Sequence, residues 1–223
     1  MALPAARLLV LDAALKRAHV GVIAGEQILA ARESAAETGL ADLLPVWAAD
    51  CLAESGGAAS GLDGIAVTVG PGSFTGLRAS LALAQGISLA AGIPVHGVTV
   101  GEAMAAMLPD LGRPLWVVTT ARRGRLFLER DGAAAAFDDA DLPAPDGPVA
   151  LAGDRATEIA ARLAARGHDV LLTDLRACAI SGIATALRQR LAAGLEPRPA
   201  QPLYVDPPEA RLPAGGLRPP PRP

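Results

Sequence analysis

The chain has 223 residues, about half of them apolar, which is enough for a packed core in one large domain or two small ones. The net charge is −3 and no basic stripe is visible, which argues against a strong nucleic-acid footprint of its own. Aromatic residues make up only 3% of the sequence, so the core must be built from aliphatic side chains.

The sequence shows no signal-peptide pattern and no apolar stretch long enough for a membrane span. We therefore expect a cytoplasmic protein with no membrane partner. Its two cysteines, Cys51 and Cys178, have no second Cys or His at metal-ligand spacing, and we expect two buried free thiols. No cofactor is expected.

The first half of the chain reads as a hairpin-led sheet covered by helices. The apolar run 62–70 lacks polar alternation, which is typical of a parallel strand buried on both faces. Pro45 predicts either a kink in the first helix or its true start. The elements predicted in chain order are strand 7–14, hairpin 19–33, helix 38–55 with Thr38 as its N-cap, strand 62–70, helix 73–91, strand 93–98 and helix 99–111.

The second half predicts another α/β unit followed by a tail with seven prolines. Its predicted elements are two strands around Arg123-Gly124, a loop over 131–149, strand 149–154, helix 155–167, strand 169–173 and helix 175–194. We divide the chain into an N-terminal lobe (1–109), a C-terminal lobe (110–206) and a disordered tail (207–223).

The stretch GPGSFTGLR (70–78) lies between a predicted strand and a predicted helix, where a phosphate cradle would lie. A Walker A loop needs Lys where Leu77 stands, and a dinucleotide fingerprint needs Gly where Thr75 stands. The glycines instead indicate a strand-ending turn, with Ser73 as a helix N-cap. Asp12, Ser73 and Thr75 are therefore only weak candidates for binding a cofactor.

Catalytic constellations are equally weak in the sequence. The three histidines fall in different predicted elements and form no i, i+4 metal pair: His19, His96 and His168. Asp12 could hold Mg²⁺ in a kinase-like cleft, but its sequence neighbours favour a turn or cap role. Ser73 and Thr75 have no base near them in sequence. Arg122 and Arg123 could reach a phosphate, although a solvated hairpin turn is the simpler interpretation.

The helices 38–55 and 73–91 carry apolar or small side chains on more than one side. The sheet can cover one side, and the other must be covered by a neighbouring helix or by a partner chain. Burial within the chain remains open as an alternative. The predicted partner-interface residues are Leu40, Leu43, Leu44, Trp47, Cys51, Leu77, Arg78, Leu81, Ala84, Gln85 and Ser88. We expect the same face to form a homodimer when the partner is absent.

The segment GPGSFTGLRASLALAQGISLA closely resembles the signature of the TsaB (YeaZ) family. The flanking segments LVLDAA, LLPVWAADCLAESG, GIPVHGVTVGEAMA, TTARRGRLFLE and QPLYVDPPEA are similar to other family segments. The resemblance covers roughly residues 7–206, and it is most specific in the signature.

This resemblance implies an α/β fold of the actin/Hsp70/sugar-kinase-like (ribonuclease H-like) type, with two lobes of mixed sheets covered by helices. It implies a non-catalytic subunit of the machinery that forms N6-threonylcarbamoyladenosine at position 37 of ANN-decoding tRNAs. The implied partners are a TsaD-like catalytic subunit, contacted through N-lobe helices, and a TsaE-like ATPase. Contact with tRNA is expected only through the complex.

The chain departs from the family pattern at several positions. Ala13 replaces a hydroxyl residue, Gly39 a common His, Thr120 an Asp, Arg125 a Glu and Asp206 an Arg. These changes weaken a local ligand site and leave the helical surface intact. The alternative hypothesis is an enzyme of the same fold, either a nucleotide-binding phosphotransferase or a metallopeptidase-like protein.

Overall fold

The computed structural model describes residues 6–35, 39–122 and 124–205. The predicted cap Thr38, Asp206 and the predicted tail 207–223 lie outside these ranges. The first sheet contains β1 (Arg7–Asp12), β2 (Arg17–Ala24), β3 (Gln27–Ala35), β4 (Gly64–Gly70) and β5 (Val95–Thr99). The second contains β6 (Leu115–Thr120), β7 (Arg125–Arg130), β8 (Ala133–Asp138), β9 (Val149–Ala152) and β10 (Val170–Leu172).

The two sheets have the same topology. The first has the order β3-β2-β1-β4-β5, and the second has the matching order β8-β7-β6-β9-β10. In each sheet an antiparallel three-strand meander is extended by two parallel strands, the first pairing with the first strand of the meander and the second pairing with the strand added before it. The structure therefore contains an internal repeat that the sequence does not reveal. This confirms the predicted two-lobed, actin/Hsp70/sugar-kinase-like fold.

The helices form layers on both sheets: α1 (Leu40–Glu54), α2 (Phe74–Ala91), α3 (Val100–Ala105), α4 (Ala156–Ala165) and α5 (Ile180–Ala192). Helices α1 and α2 cover one face of the first sheet, whereas α3 and α5 fill the space between the sheets. Helix α4 packs on the second sheet. The strands of the two sheets lie on either side of residues 109/110. Helix α5 comes after this point in the chain but packs against strands of the first sheet.

Most predicted elements are present, and the differences have physical reasons. The predicted loop 131–149 contains strand β8, whose alanines give little strand signal and which forms because it pairs with β7. The helix predicted over 99–111 ends at Ala105, and the helix predicted from residue 175 begins at Ile180. Pro45 lies inside α1, which already begins at Leu40, so it does not mark the start of the helix.

Both cysteines are buried and free, as the sequence predicted. Burial raises the pKa of the Cys51 and Cys178 thiols, which keeps them protonated and unreactive. Within the described ranges, no helix has both the length and the hydropathy needed to cross a membrane.

A buried carboxyl group, that of Glu129, joins the two lobes. This side chain extends from β7 to the start of α3, where the Gly101 N–H donates to Oε2 over 2.7 Å and the Thr99 hydroxyl hydrogen-bonds to Oε1. A Cβ atom at Gly101 would overlap the Glu129 carboxyl carbon, so a side chain at position 101 would displace this carboxyl group. Burial is the main cause that raises the pKa of Glu129 to about 7, and the hydrogen bonds from Thr99 and Gly101 act against it.

We expect the substitution Glu129→Gln to stabilise the protein at pH 8 and to change its stability little at pH 5. Folding raises the pKa of this carboxyl from 4.5 to about 7. The folded state therefore retains a proton that the unfolded state loses, and stability falls as the pH rises through this window. The difference corresponds to roughly 3 kcal/mol at pH 8. Urea unfolding at both pH values measures it, and an unchanged pH dependence in the variant would contradict the assignment.

Candidate functional site

The glycine-rich loop after β4 packs directly against another part of the chain. The turn that follows β1 lies directly against it, and the Ser73 N–H donates to the Ala14 carbonyl oxygen over 2.6 Å. Cβ atoms at Gly72 and Gly76 would overlap the carbonyl oxygens of Ala14 and Ala13, well inside the 3.0 Å that real Cβ atoms keep. The glycines thus permit a close approach between the backbone of this loop and that of the turn after β1.

Ser73 and Thr75 carry the hydroxyl groups of this loop. Ser73 is the N-cap of α2, because its Oγ accepts from the Gly76 N–H over 3.2 Å, as the sequence predicted. Thr75 is exposed on the first turn of the helix. Gly70 has a φ of 107°, a conformation that favours glycine, and the Gly70–Pro71 peptide is cis. The loop therefore ends β4 and begins α2 within a few residues.

Asp12 is buried at the end of β1 and holds three strands together. Its Oδ1 accepts from the Ala14 N–H over 2.9 Å and from the Thr68 hydroxyl over 2.6 Å. Its Oδ2 lies 3.4 Å from His19 Nδ1, whose ring also contacts Glu33 through Nε2 at 3.2 Å. The carboxylate that the sequence offered as a Mg²⁺ ligand is thus surrounded by partners from its own chain.

Sequence reasoning missed both Thr68 and His19 as partners of Asp12. The signal for His19 was present, since in the β1–β2 pairing His19 lies directly opposite Asp12. Thr68 could not be found without knowing that β4 pairs in parallel beside β1. Both side chains become partners of Asp12 only after the sheet forms.

The second lobe has a related carboxylate–threonine pair. In the first lobe the carboxylate lies on β1 and the threonine on β4, whereas in the second lobe the threonine lies on β6 and the carboxylate follows β9. The Thr120 N–H and hydroxyl, at the end of β6, donate to Asp154 over 2.9 and 2.7 Å. Asp154 follows β9, so it supplies the carboxylate that the family pattern led us to expect at position 120. Among the described residues, no three His, Cys, Asp or Glu side chains lie close enough to hold a metal ion.

The structure divides the predicted partner-interface residues into three groups. Five are buried in the core beneath α1 and α2 and cannot reach a partner: Leu44, Cys51, Leu77, Leu81 and Ala84. Three are half-buried: Leu40, Trp47 and Ser88. Three are exposed: Leu43, Arg78 and Gln85. The periodicity thus mostly marked the stripes of α1 and α2 that are buried within the chain, and the role of these helices as an interface stays a prediction.

The exposed side of α1 and α2 carries Leu43, Arg78 and Gln85 from the predicted set together with exposed residues that the sequence did not predict. Along α2 a stripe with helical spacing is exposed, consisting of Phe74, Arg78, Ala82, Gln85 and Leu89. Leu89 is 88% exposed, and Val46 on the neighbouring α1 is 59% exposed. We call these residues, together with Leu43, the outward face. Large apolar side chains this accessible are typical of interaction surfaces when they cluster.

These features define a class: a two-lobed α/β protein with a chain-filled glycine-rich loop and an apolar outward face on two adjacent helices. The family model described as TsaD, tRNA N6-adenosine threonylcarbamoyltransferase, matches residues 33–200. Because this is more than half of the chain, the chain belongs to that family. The predicted resemblance to the TsaB (YeaZ) family is confirmed by this match together with the fold that the chain shares with YeaZ from Pseudomonas aeruginosa.

Two curated relatives illustrate how far the similarity extends. The tRNA N6-adenosine threonylcarbamoyltransferase of Paracoccus denitrificans is 34% identical over 175 residues, which cover 67% of this chain and 48% of that protein. An uncharacterized protein of Mycobacterium tuberculosis is 36% identical over 118 residues, covering 53% of this chain and 52% of the relative. The chain thus spans about half the length of these relatives.

Solved structures share the fold over nearly the whole chain. YeaZ from Pseudomonas aeruginosa superimposes with a TM-score of 0.73 at 22% identity, covering 89% of this chain and 99% of that one. A second structure, described as an uncharacterized protein with similarity to peptidase YEAZ from the same species, has a TM-score of 0.74 at 21% identity, with coverages of 90% and 100%. At these identities the similarity establishes the architecture.

We expect Gly72→Ala and Gly76→Ala each to destabilise the protein by about 2 kcal/mol or more, because the added methyl group would separate two backbones in close contact. Gly86→Ala is the matched control, since Gly86 lies exposed in the same helix with no atom within 4 Å of its Cβ position. It should instead stabilise the helix by up to about 1 kcal/mol. Urea unfolding measures all three, and loop variants as stable as the wild type would refute the close approach.

Proposed function

We propose that this chain is a non-catalytic scaffold or activator subunit of the complex that forms N6-threonylcarbamoyladenosine at position 37 of ANN-decoding tRNAs. In this role it pairs with a TsaD-like catalytic subunit, and a TsaE-like ATPase joins the complex. The observation that carries the proposal is the contrast between the two parts of the first lobe. The glycine-rich loop is filled by backbone, whereas the outward face next to it presents apolar side chains to solvent.

The outward face supports a helix-to-helix mode of docking. Leu43, Val46 and Leu89 offer apolar area, and the small residues Ala82 and Gly86 leave room for a partner helix to approach closely. Burying such side chains contributes about 25 cal/mol per Å² of apolar surface. The partner would therefore gain most of its affinity from a helix face with matching apolar residues.

A related subunit is the partner that fits this face best. The chain is 34% identical to a threonylcarbamoyltransferase over 175 residues, so that class of enzyme contains segments homologous to this one. Two related helix pairs can pack around a pseudo-twofold axis, as identical ones do in an isologous dimer. The same reasoning predicts a homodimer through the outward face when the catalytic subunit is absent.

The charge of the chain supports a role in which tRNA is bound through the complex. At a net charge of −3, the chain offers few cations to neutralise backbone phosphates. The tRNA would then contact mainly the catalytic subunit, and this chain would act on the reaction through that subunit.

The enzyme alternative has less support. A phosphotransferase or metallopeptidase-like protein of this fold would need an accessible loop or an available carboxylate. The loop is occupied by the Ala13–Ala14 backbone, and the Asp12 carboxylate accepts hydrogen bonds from Ala14 and Thr68. Both groups would have to be rearranged before they could bind a substrate.

We expect the double substitution Val46→Glu with Leu89→Glu to weaken binding to the organism's own threonylcarbamoyltransferase by roughly two orders of magnitude, because it places two charges in an apolar contact. Leu171→Glu is the matched control, since Leu171 is 42% exposed on β10, in the other lobe. Co-purification followed by titration calorimetry gives the affinities. Leu81 is unsuitable for this test, because it is buried and its replacement would disrupt the core.

Sedimentation of the same variants tests the homodimer. The double variant should be monomeric at concentrations where the wild type and Leu171→Glu are dimeric. If the double variant binds the transferase as tightly as the wild type does, the outward face is not the docking surface and the proposal fails. A loss of binding in the Leu171→Glu control would point to the opposite lobe instead.

A further inference from the structure

The chain returns to the first lobe after α5 in a segment that we call the strap, residues 195–205. The Gly97 N–H on β5 donates to the Arg198 carbonyl over 2.8 Å, and the Leu203 N–H donates to the Val69 carbonyl over 2.8 Å. Arg198 also forms a 2.8 Å ion pair with Glu102 at the start of α3. The strap therefore pairs with the edge strand of the first sheet and passes the end of β4 beside the glycine-rich loop.

Two side chains of the outward face hold the strap. Gln85 Nε2 donates to the Ala200 carbonyl over 2.9 Å. The Arg78 guanidinium donates from Nε and Nη2 to the Tyr204 hydroxyl oxygen over 3.3 and 3.2 Å. These are two of the three exposed residues among those that the sequence analysis assigned to the partner interface. Their polar groups are thus engaged with the strap before any partner arrives.

Arg78 also stacks on an exposed aromatic ring. Its guanidinium carbon lies 3.7 Å from the centroid of the Phe74 ring, and the Phe74 and Tyr204 rings are 6.4 Å apart. Phe74 and Tyr204 are nevertheless 58% and 59% exposed. An Arg side chain has many rotamers in solution, and the Tyr204 hydroxyl restricts it to the one that covers Phe74. A side chain ordered in advance loses less entropy when a partner binds.

Building on the proposed function, we infer that the strap forms one rim of the docking surface and that Tyr204 is a positioning residue, which holds Arg78 over Phe74 for the catalytic subunit. The outward stripe of α2 begins at Phe74 and runs through Arg78 to Gln85, so the strap lies along this stripe. The occupant is the homologous helix pair of the transferase subunit, whose relationship to this chain makes a like-with-like contact possible. The C-terminal part of the chain thereby contributes to an interface formed otherwise by two N-terminal helices.

The test measures the affinity of the full chain for the transferase subunit of the same organism. Tyr204→Ala and Tyr204→Phe, which removes only the hydroxyl, should raise Kd to the same extent, about 3-fold, because the hydroxyl is the group that holds Arg78. Leu171→Ala is the control, because Leu171 is an exposed side chain on β10, in the other lobe. Its Kd should stay within about twofold of the wild type. The melting temperature of all three variants should remain close to that of the wild type, since both substituted side chains are exposed.

A double-mutant cycle separates positioning from a direct contact of Tyr204. If Tyr204 acts through Arg78, the variant that carries both Tyr204→Ala and Arg78→Ala should bind no more weakly than Arg78→Ala alone. Additive losses, or a Tyr204→Ala variant that binds like the wild type, would overturn the inference while the proposed function stands. A wild-type chain that does not bind the transferase would refute the proposed function and the inference together.

Discussion

The structure depends on one close contact between two pieces of backbone. The turn after β1 lies against the glycine-rich loop after β4, so that the Ala13 and Ala14 carbonyl oxygens take the space that side chains at positions 76 and 72 would need. This contact brings β1, β4 and the start of α2 together. The glycines that resemble part of a nucleotide-binding loop in the sequence serve this backbone contact in the structure.

That contact fixes where α2 begins, and the position of α2 determines which of its side chains are exposed. The helix begins at the Ser73 cap, buries Leu77, Leu81 and Ala84 against the sheet and α1, and leaves its opposite stripe exposed. The buried Asp12 carboxylate also stabilises the turn after β1 and its contact with β4, because it accepts hydrogen bonds from Ala14 and Thr68.

The sequence predicted much of this arrangement, and the failures are instructive. The succession of strands and helices along the first lobe, the long α2 with its cap and the resemblance to the family were accessible, because strong periodicity and a specific signature carry them. Strand β8 was missed because its alanines have little intrinsic preference for β structure, and the strand forms through its pairing with β7. The sequence could not separate buried from exposed interface candidates, since Leu44 and Leu81 satisfy the same helical period as the exposed residues, and only the positions of the sheet and neighbouring helix show which stripe is covered. The strap contacts of Arg78 and Gln85 span more than 100 positions, and no local pattern encodes them.

Titration calorimetry of magnesium-ATP into the purified chain tests the central claim most directly, namely that this protein supplies a surface and its partner supplies the chemistry. With the loop filled by Ala13 and Ala14, the account predicts no binding heat up to millimolar nucleotide, while the chain still binds the transferase subunit. Micromolar affinity of the isolated chain for ATP would mean that the loop opens to accept a phosphate, and would contradict the account.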